Sequence, residues 1–364
     1  MPLRQFTQSN RLNSVSKIAH FITRWTQWEY YPWWLANIPV YGFWLWFAAR
    51  ARHLFFFSNV NPGIPLGGAM GESKWDILIQ LPEAILPKTL VVGKEEPLES
   101  VLFMLHRKGM TFPIIAKPDV GERGFLVKKI HNEPELREHL QQWPVRFILQ
   151  EFLAQPLEAS VLYHRFPGDD GYFGITSVCI KAFLQVEGDG ESTIRMLMQK
   201  QARAAFQLTR FEKEYPGLLD QVPAPGESVL LEPIGNHSRG TKFINGNHLI
   251  TPSMVQAFEK ICRQIPDIHY SRFDLKTESW DALQRANFKV MELNGVLGEP
   301  AHIYDPSHGM SRAYRDLWQH WRLLFRLHIA LKESGHSPTP HKESWQFIRE
   351  YFRYKEALEK PVNR

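Results

Sequence analysis

Four polar side chains in the C-terminal third of the sequence have a spacing that suits metal and anion chemistry. They are Arg272 and Asp274 in one short segment, and Glu292 and Asn294 in a second. Residues two apart on a β-strand share a face, so we predict two adjacent strands joined by a hairpin, with Glu292 and Asn294 on one face. Carboxylate and amide oxygens suit Mg²⁺ that bridges nucleotide phosphates. The alternative is that these are surface residues of the strands.

A lysine also stands at the end of an apolar segment, immediately before a glycine-rich turn. Phe112 to Lys117 predicts a strand, and the turn from Asp119 to Gly124 contains two glycines. A cation beside such a turn can hold phosphate, because glycines let backbone N–H groups approach an anion without obstruction. The alternative is a solvated lysine at a strand edge. The phosphate-binding patterns GxxxxGK(S/T) and GxGxxG are absent from the sequence.

The composition is that of a globular protein and argues against several other classes. The 364 residues are 44% hydrophobic and 22% charged, enough for a core with two or three subdomains. The 43 Lys and Arg and 38 Asp and Glu are spread along the chain, so we expect no nucleic acid partner. Cys179 and Cys262 form no CxxC pair, and neither a disulfide framework nor a zinc site is expected. The first 32 residues lack a secretory signal, so we expect a cytoplasmic protein.

Residues 25–57 are unusually aromatic and hold half of the chain's 12 Trp. The uncharged stretch from Trp33 to Ala49 has 17 residues, whereas a membrane-spanning helix needs ~20. Trp and Tyr rings suit the boundary between lipid and water, and Arg50 and Arg52 follow directly. This favours a helix lying in the membrane interface, peripheral on the cytoplasmic face. The alternative is an aromatic arm packed on the body of the protein or on a second copy in a homodimer.

The rest of the chain alternates strands and helices in the manner of an α+β fold. We predict a short strand at Leu54 to Ser58, a turn-rich segment at 59–71 and a helix from about Ser73. The other predicted strands are Phe112 to Lys117, Phe125 to Ile130, Phe147 to Phe152, Ala159 to Tyr163 and Ile175 to Val186. The other predicted helices are 97–108, 133–142, 192–205, 311–333 and 341–358.

The order of these segments, from about Lys74 to Pro306, resembles the ATP-grasp superfamily, in particular D-alanine–D-alanine ligases and the ATP-grasp module of cyanophycin synthetase. The resemblance implies an α+β ATP-grasp fold, in which two α+β subdomains clasp ATP, with an aromatic N-terminal helical arm and a helical C-terminal tail. The implied divisions are 1–53 (arm), 54–94 (small α/β segment), 95–310 (ATP-grasp domain, with a lid at 95–152 and metal and substrate residues in 153–310) and 311–364 (C-terminal helices).

The resemblance also implies an ATP site. Two lysines would bind the α- and β-phosphates, a glycine loop would close over them, and a hinge segment would receive adenine through its backbone. Glu158, seven residues after Glu151, would bind the ribose hydroxyls. The implied ATP-binding residues are Lys74, Lys117, Gly121, Glu122, Arg123, Gly124, Gln150, Glu151, Phe152, Leu153 and Glu158. The implied cofactors are ATP and Mg²⁺, with Mn²⁺ as an alternative, and the implied metal ligands are Asp274, Glu292 and Asn294.

Further residues are implied to act in catalysis. Lys181 precedes a Gly-Asp-Gly turn, which is itself structural, and would contact the γ-phosphate. Lys242 lies in a loop, 236–242, that resembles the family's lid over phosphate and substrate. Arg272 would stabilise the oxyanion of the reacting carbonyl. The implied substrate-binding residues are Glu72, Ser238, Arg239 and His302.

The implied reaction joins a small-molecule carboxylate to an amine. The carboxylate attacks the γ-phosphorus of ATP, two Mg²⁺ ions and the lysines neutralise charge, and the amine then attacks the acyl phosphate, releasing ADP and phosphate. No side-chain nucleophile is required, and the sequence reveals no Ser/His/Asp or Cys/His set. The alternatives are another ATP-grasp phosphoryl transfer, a thioester-forming ligase, or a non-catalytic nucleotide-binding protein associated with a membrane.

Overall fold

The structure is a computed structural model that describes residues 31–121, 124, 126–142, 145–168, 171–265 and 267–359. Glu122 and Arg123 of the glycine loop, and the aromatic residues that precede residue 31, lie outside this range. The described chain divides into two compact units. Of the described residues, the smaller unit comprises those within 31–41, 181–245 and 303–314, and the larger comprises those within 42–180, 246–302 and 315–359.

The element order is mixed α and β, as the sequence predicts. The strands are β1 (Thr89–Val92), β2 (Ile114–Pro118), β3 (Lys128–Ile130), β4 (Phe147–Glu151), β5 (Leu157–Arg165), β6 (Phe173–Ala182), β7 (Leu184–Glu187), β8 (Ser228–Glu232), β9 (Lys242–Asn245), β10 (Tyr270–Thr277) and β11 (Lys289–Asn294). The helices are α1 (Trp33–Ala36), α2 (Ile38–Ala51), α3 (Lys74–Leu78), α4 (Leu98–Arg107), α5 (Glu133–Gln142), α6 (Ile194–Lys200), α7 (Ala202–Ala205), α8 (Leu208–Glu214), α9 (Pro216–Leu219), α10 (Pro252–Cys262), α11 (Trp280–Gln284), α12 (Met310–Glu333) and α13 (His341–Glu359). Antiparallel pairing joins β1 to β4, β4 to β2, β2 to β3, β11 to β10, β10 to β5, β5 to β6 and β7 to β8.

The first sheet of the larger unit has the strand order β1-β4-β2-β3. One face of this sheet is apolar and packs against the buried sides of α4 and α5, through residues such as Val101, Leu105 and Leu136. Helix α4 places its apolar residues at helical spacing, with Leu98, Val101 and Leu105 buried. This packing holds β2 and the lysine near its end in a fixed position.

The second sheet of the larger unit includes β11, β10, β5 and β6 in that order. Alternation along the strands separates its two faces. Val161, Phe273 and Leu275 belong to the apolar core, together with Met254 and Phe258 of α10. The residues between them, including Arg272 and Asp274, therefore point to the opposite face.

Two local predictions are wrong. The segment predicted as a strand at Leu54 to Ser58 contains a 3-10 turn, Phe56–Asn59, because its aromatic side chains pack against α12 rather than beside another strand. Strands β10 and β11 are adjacent and antiparallel, as predicted. The connection between them, however, contains helix α11 and is not a tight hairpin.

The smaller unit has its own core, built on the β7 and β8 pair and helices α6 to α9. The Gly-Asp-Gly turn before α6 is structural, as predicted. Asp189 Oδ1 accepts hydrogen bonds from the backbone N–H groups of Glu191 and Ser192 at 3.1 and 2.6 Å. Thr193 caps α6 by accepting from Met196 N at 3.3 Å.

Helix α2 packs one side on the C-terminal helix α12. The Phe43 and Phe47 rings lie 5.2 and 4.9 Å from the ring of Trp318, and Phe47 lies 5.3 Å from Phe325. On the other side of α2, Leu45 and Trp46 are 53% and 55% exposed. The aromatic segment is therefore a packed arm on one side and an uncovered apolar surface on the other.

Asn61 joins three segments of the larger unit from a fully buried position. Its Nδ2 donates to the carbonyl oxygens of Gly67 and Tyr270 at 2.9 and 2.8 Å. Its Oδ1 accepts from the backbone N–H groups of His269 and Tyr270 at 2.8 and 2.9 Å. The start of β10 is thereby fixed against the turn at 65–67.

We predict that Asn61→Ala lowers the free energy of unfolding by about 3 kcal/mol, since it leaves buried backbone groups without partners at ~1–3 kcal/mol each. Urea denaturation measures the change. The control is Asn132→Ala, which removes an exposed hydrogen bond to Glu135 N at the start of α5 and should cost only ~1 kcal/mol. Equal losses in the two variants would contradict the role given to Asn61.

Candidate active site

The register of β10 and β11 brings the four polar residues together. Arg272 pairs with Asn294, and Asp274 pairs with Glu292. Directly paired residues in an antiparallel sheet point to the same face, so all four side chains lie on the face opposite the apolar core. A bulge follows Asp274, where the register shifts before Leu275.

Asp274 is the centre of this group. Its Oδ2 lies 3.4 Å from Arg272 Nη2 and accepts a hydrogen bond from Asn294 Nδ2 at 3.2 Å. Its Oδ1 accepts a hydrogen bond from the hydroxyl of Ser160, the residue paired with it on β5. Sequence reasoning missed Ser160, because its place beside Asp274 depends on the order of the strands.

Arg272 is held by its neighbours and keeps its charge. Its Nη1 donates to the carbonyl oxygen of Glu299 at 3.2 Å, in the loop after β11. Burial favours the neutral form, but the negative charges of Asp274, Glu292 and Glu299 outweigh it and raise the pKa of Arg272. Its Nε is buried and has no hydrogen-bond partner among the described residues.

Lys117 and Lys74 reach the same strand, β11, from two other elements. Lys117 Nζ donates to the carbonyl oxygen of Met291 at 2.7 Å and to Gln150 Oε1 at 3.1 Å. Lys74 Nζ lies 3.6 Å from Glu292 Oε1 and also donates to the carbonyl oxygen of Gly121. Burial lowers the pKa of Lys117 to about 8. Two cations therefore meet the acidic strand where the sequence predicts a phosphate site.

Asp119 positions Lys74. The sequence did not predict this role of Asp119. The carboxylate accepts from Ser73 Oγ and from Trp75 N at 2.9 Å, and its backbone oxygen accepts from Lys74 N at 2.9 Å. Ser73 in turn caps α3. A carboxylate at a helix N-terminus interacts favourably with the helix dipole. Through these contacts Asp119 holds the segment that contains Lys117 against the segment that contains Lys74.

The predicted adenine hinge follows β4. Glu151 pairs with Lys88 through two hydrogen bonds: its N donates to Lys88 O at 2.9 Å, and its Oε1 accepts from Lys88 N at 2.8 Å. Leu153 is buried, and Lys129 Nζ lies 3.8 Å from the centre of the Phe152 ring. The hinge residues thus form a packed segment at the C-terminal end of β4, an inner strand of the first sheet.

The predicted ribose residue, Glu158, is buried on β5 with 4% of its surface exposed. It pairs with Lys276 on β10, and the charged atoms of the two side chains lie 4.0 Å apart. Both residues lie on the same face as Ser160 and Asp274, since they are two positions along each strand. The sequence did not single out Lys276.

Four predicted residues belong to the smaller unit: Lys181, Ser238, Arg239 and Lys242. Lys181 is buried, and its Nζ lies 6.0 Å from the centre of the Phe243 ring. Ser238 bonds to Asn236 Oδ1, and Arg239 Nη1 lies 3.5 Å from Glu232 Oε2. Their proposed contacts with phosphate and substrate stay predictions.

The two predicted substrate residues of the larger unit have different surroundings. Glu72 lies directly before the cap of α3. His302 is buried, with Nδ1 2.8 Å from Ser177 Oγ and Nε2 3.0 Å from Asp316 Oδ2. The fold brings Ser177, His302 and Asp316 together from β6, the loop after β11 and α12, a contact that the sequence did not predict.

The loop that leaves β11 is packed closely against an early turn of the chain. Val296 N donates to Gly67 O at 3.1 Å. A Cβ added to Gly295 would lie 2.6 Å from the Cα of Gly68, closer than two carbon atoms approach, so only glycine fits. The contact fixes where the chain goes after Asn294.

The donor set fits Mg²⁺ and a nucleotide phosphate chain. Asp274, Glu292 and Asn294 offer hard oxygen atoms on one sheet face. Lys74, Lys117 and Arg272 place three cationic groups beside these oxygen atoms, and cationic donors suit phosphate oxygens. Among the described residues, no helix is long and apolar enough to cross a membrane.

No family model and no curated protein matches the chain. Among solved structures, a D-alanine–D-alanine ligase from Bacillus anthracis has 12% identity and a TM-score of 0.37, over 70% of this chain and 68% of that one. A D-Ala:D-Ser ligase from Enterococcus faecalis has 13% identity and a TM-score of 0.38, over 67% and 57%. A bifunctional glutathione synthetase from Pasteurella multocida has 15% identity and a TM-score of 0.34, over 68% and 36%.

The chain spans little more than a third of that synthetase, 36%, and 57% to 68% of the two ligases. All three are ATP-grasp enzymes, the superfamily that the sequence motifs resemble.

We predict that Lys117→Ala weakens ATP binding on the order of tenfold to a hundredfold, since a charge-assisted hydrogen bond is worth ~1.5–3 kcal/mol. Lys242→Ala should lose less, because Lys242, the first residue of β9, has an exposed side chain whose charge is screened by solvent. Because burial lowers the pKa of Lys117 to about 8, the wild type should bind ATP more weakly as pH rises above that value and the ammonium is lost. Calorimetric titration at pH 7 and about pH 9 measures both effects; equal losses, or an affinity that does not fall with pH, would contradict the assignment.

Proposed function

We propose that the chain is an ATP-dependent ligase that joins a small-molecule carboxylate to an amine through an acyl phosphate and releases ADP and phosphate. The observation that carries the proposal is the shared sheet face of Arg272, Asp274, Glu292 and Asn294, reached by Lys74 and Lys117. This is the combination that carboxylate activation needs: oxygen ligands for a metal, cations for phosphate and a cation for the developing oxyanion.

The chain's own residues divide the work by position. Asp274, Glu292 and Asn294 hold Mg²⁺, which supplies positive charge to the phosphate oxygens when bound. Lys74 and Lys117 bind the α- and β-phosphates, and Glu158 accepts hydrogen bonds from the ribose hydroxyls.

Arg272 is the residue that acts on the reacting carbonyl. The guanidinium is fixed by Asp274 and the Glu299 carbonyl, so it needs little reorganisation when the carbonyl oxygen becomes negative. Lys181 and Lys242 of the smaller unit are proposed to meet the γ-phosphate. Glu72, Ser238 and Arg239 are proposed to bind the substrates, and His302 to act on them through its hydrogen-bond partner Ser177.

We predict that Glu292→Gln and Asn294→Ala each lower Mg²⁺-dependent ATP turnover on the order of a hundredfold or more, because a metal ligand is lost, while the fold is retained. The control is Glu278→Gln, an exposed residue just after β10. ADP release is measured with an untargeted mixture of metabolites as candidate substrates. Full turnover in both variants would overturn the metal assignment.

The same assay separates the alternatives. Phosphate release that depends on an amine supports the ligase. ADP release without an amine requirement indicates another phosphoryl transfer, and a requirement for a thiol indicates thioester formation. Stabilisation by Mg-ATP without turnover under any condition indicates a non-catalytic nucleotide-binding protein.

We further propose that the uncovered side of α2 lies on the surface of an anionic membrane. Leu45 and Trp46 are exposed there, while Phe47 and Ala48 behind them are buried. No Asp or Glu occurs from residue 30 to 71, and Arg50 and Arg52 are exposed at the end of the helix. Inserted rings contribute ~1.5–3 kcal/mol each, and each arginine adds ~1 kcal/mol of attraction to anionic lipid.

We predict that the wild type floats with anionic liposomes at low salt, and that the double variant Leu45→Ser, Trp46→Ser floats several-fold less. The substitutions leave the packed side of α2 unchanged, so folding should be preserved. The control is Trp345→Ser, a tryptophan of α13 that is 45% exposed. A wild-type protein that stays at the bottom of the gradient in low and moderate salt would exclude membrane binding by α2. If the double variant were then monomeric where the wild type is a homodimer, the exposed side of α2 would be an interface with a second copy.

A further inference from the structure

Ser177, His302 and Asp316 form a hydrogen-bonded chain inside the larger unit. Ser177 Oγ lies 2.8 Å from His302 Nδ1, and His302 Nε2 lies 3.0 Å from Asp316 Oδ2. Ser177 and His302 are 1% and 2% exposed, whereas the side chain of Asp316 is 29% exposed. The chain therefore runs from a buried hydroxyl to a carboxylate that meets solvent.

The inner end of this chain lies on the same sheet row as the proposed oxyanion residue. One row of paired residues crosses four strands in order: Ser177 on β6, Leu162 on β5, Arg272 on β10 and Asn294 on β11. Paired residues share a face, so Ser177 and Arg272 point to the same side. With ~4.8 Å between strands, their backbones are ~10 Å apart. Ser177 therefore lies two strands away from Arg272, the residue proposed to act on the reacting carbonyl, on the same side of the sheet.

Two other buried imidazoles lie on this side of the sheet but are poor proton acceptors. His320 Nδ1 lies 2.8 Å from Tyr270 Oη, and burial lowers the pKa of His320 to about 3. Burial likewise lowers the pKa of His164 to about 4. Both rings are therefore neutral near pH 7. His302 differs from them in having a carboxylate as its partner, and a carboxylate stabilises the imidazolium that a proton creates.

We propose that Ser177, His302 and Asp316 are the proton relay of the ligation step, which carries the amine's proton from the reaction centre to solvent. The proposal rests on the ligase function proposed above. Ser177 is the residue that contacts the amine, and His302 and Asp316 act through it.

The transfers balance. A charged amine first passes one proton to Ser177 Oγ while the serine proton passes to His302 Nδ1, and the freed lone pair of the nitrogen then bonds to the acyl carbon. His302 keeps its other proton on Nε2, donated to Asp316. The bond between the acyl carbon and the phosphate oxygen breaks, and phosphate leaves with the electron pair and takes the second proton of the nitrogen. His302 releases its Nε2 proton to solvent at Asp316 and regains its starting tautomer when the remaining proton on Nδ1 is exchanged with solvent for one on Nε2.

The test compares two amines that differ in their need for a base. The protein receives Mg-ATP with the standard amino acids and D-alanine, which supply carboxylates and charged amines, with or without hydroxylamine. Hydroxylamine is uncharged at neutral pH and attacks an acyl phosphate without a strong base. ADP release reports on the amino acids, and hydroxamate formation reports on hydroxylamine.

We predict that Ser177→Ala and Asp316→Asn lower ADP release with amino acids alone on the order of a hundredfold, the usual effect of losing a general base. Hydroxamate formation by both variants should stay within about threefold of the wild type. The controls are Ser253→Ala and Asp281→Asn, at exposed sites of α10 and α11. Asp316→Asn changes a partly exposed residue, so it remains informative if Ser177→Ala fails to fold.

The other outcomes are distinct. Equal losses with both amines would show that the chain only supports the fold and would overturn the relay, as would full activity of both variants with amino acids. A wild type that forms neither ADP nor hydroxamate would overturn the ligase proposal itself, and the relay with it.

Discussion

The pairing of β10 with β11 is the constraint on which the proposed chemistry depends. A slip of one residue would turn Arg272 and Asp274 into the core and expose Phe273 and Leu275, because side chains alternate between the faces of a strand. The register is therefore held by apolar burial on the far side of the sheet, where Phe273 lies 5.5 Å from Phe258. The polar residues themselves do not set it.

Electrostatics supplies a second constraint. Burying the Lys117 ammonium is unfavourable, as its lowered pKa indicates, and the carbonyl of Met291 offsets only part of that cost. The negative charge of a bound phosphate would offset that desolvation and favour the ammonium form of Lys117.

Much of the fold follows from local patterns in the sequence. The helices at 98–107, 133–142, 310–333 and 341–359 agree with prediction to within a residue or two, because their apolar spacing and their boundaries are local signals. The prediction of a strand at Leu54 to Ser58 was wrong for the opposite reason. Its aromatic residues favour a strand by propensity, but contacts with the distant α12 decide its conformation.

The residues of the proposed site divide in the same way, into those with a local sequence pattern and those without one. Arg272 and Asp274 are two residues apart, as are Glu292 and Asn294, so a strand pattern predicts that each pair shares a face. The places of Ser160, Ser177 and Asp316 could not be predicted, since they depend on elements far apart in sequence becoming neighbours. Residues that contribute through tertiary neighbours leave no local pattern.

The contact of Gly295 with Gly67 and Gly68 has a consequence for how this protein can change over evolutionary time. Neither glycine segment can gain a side chain at that point unless the other segment moves away. A shift of the segment that contains Gly295 would also move the adjacent Asn294. Substitutions there are therefore coupled: lineages that keep the chemistry must inherit both glycine segments as a unit, and a lineage that loses one has little reason to retain the other.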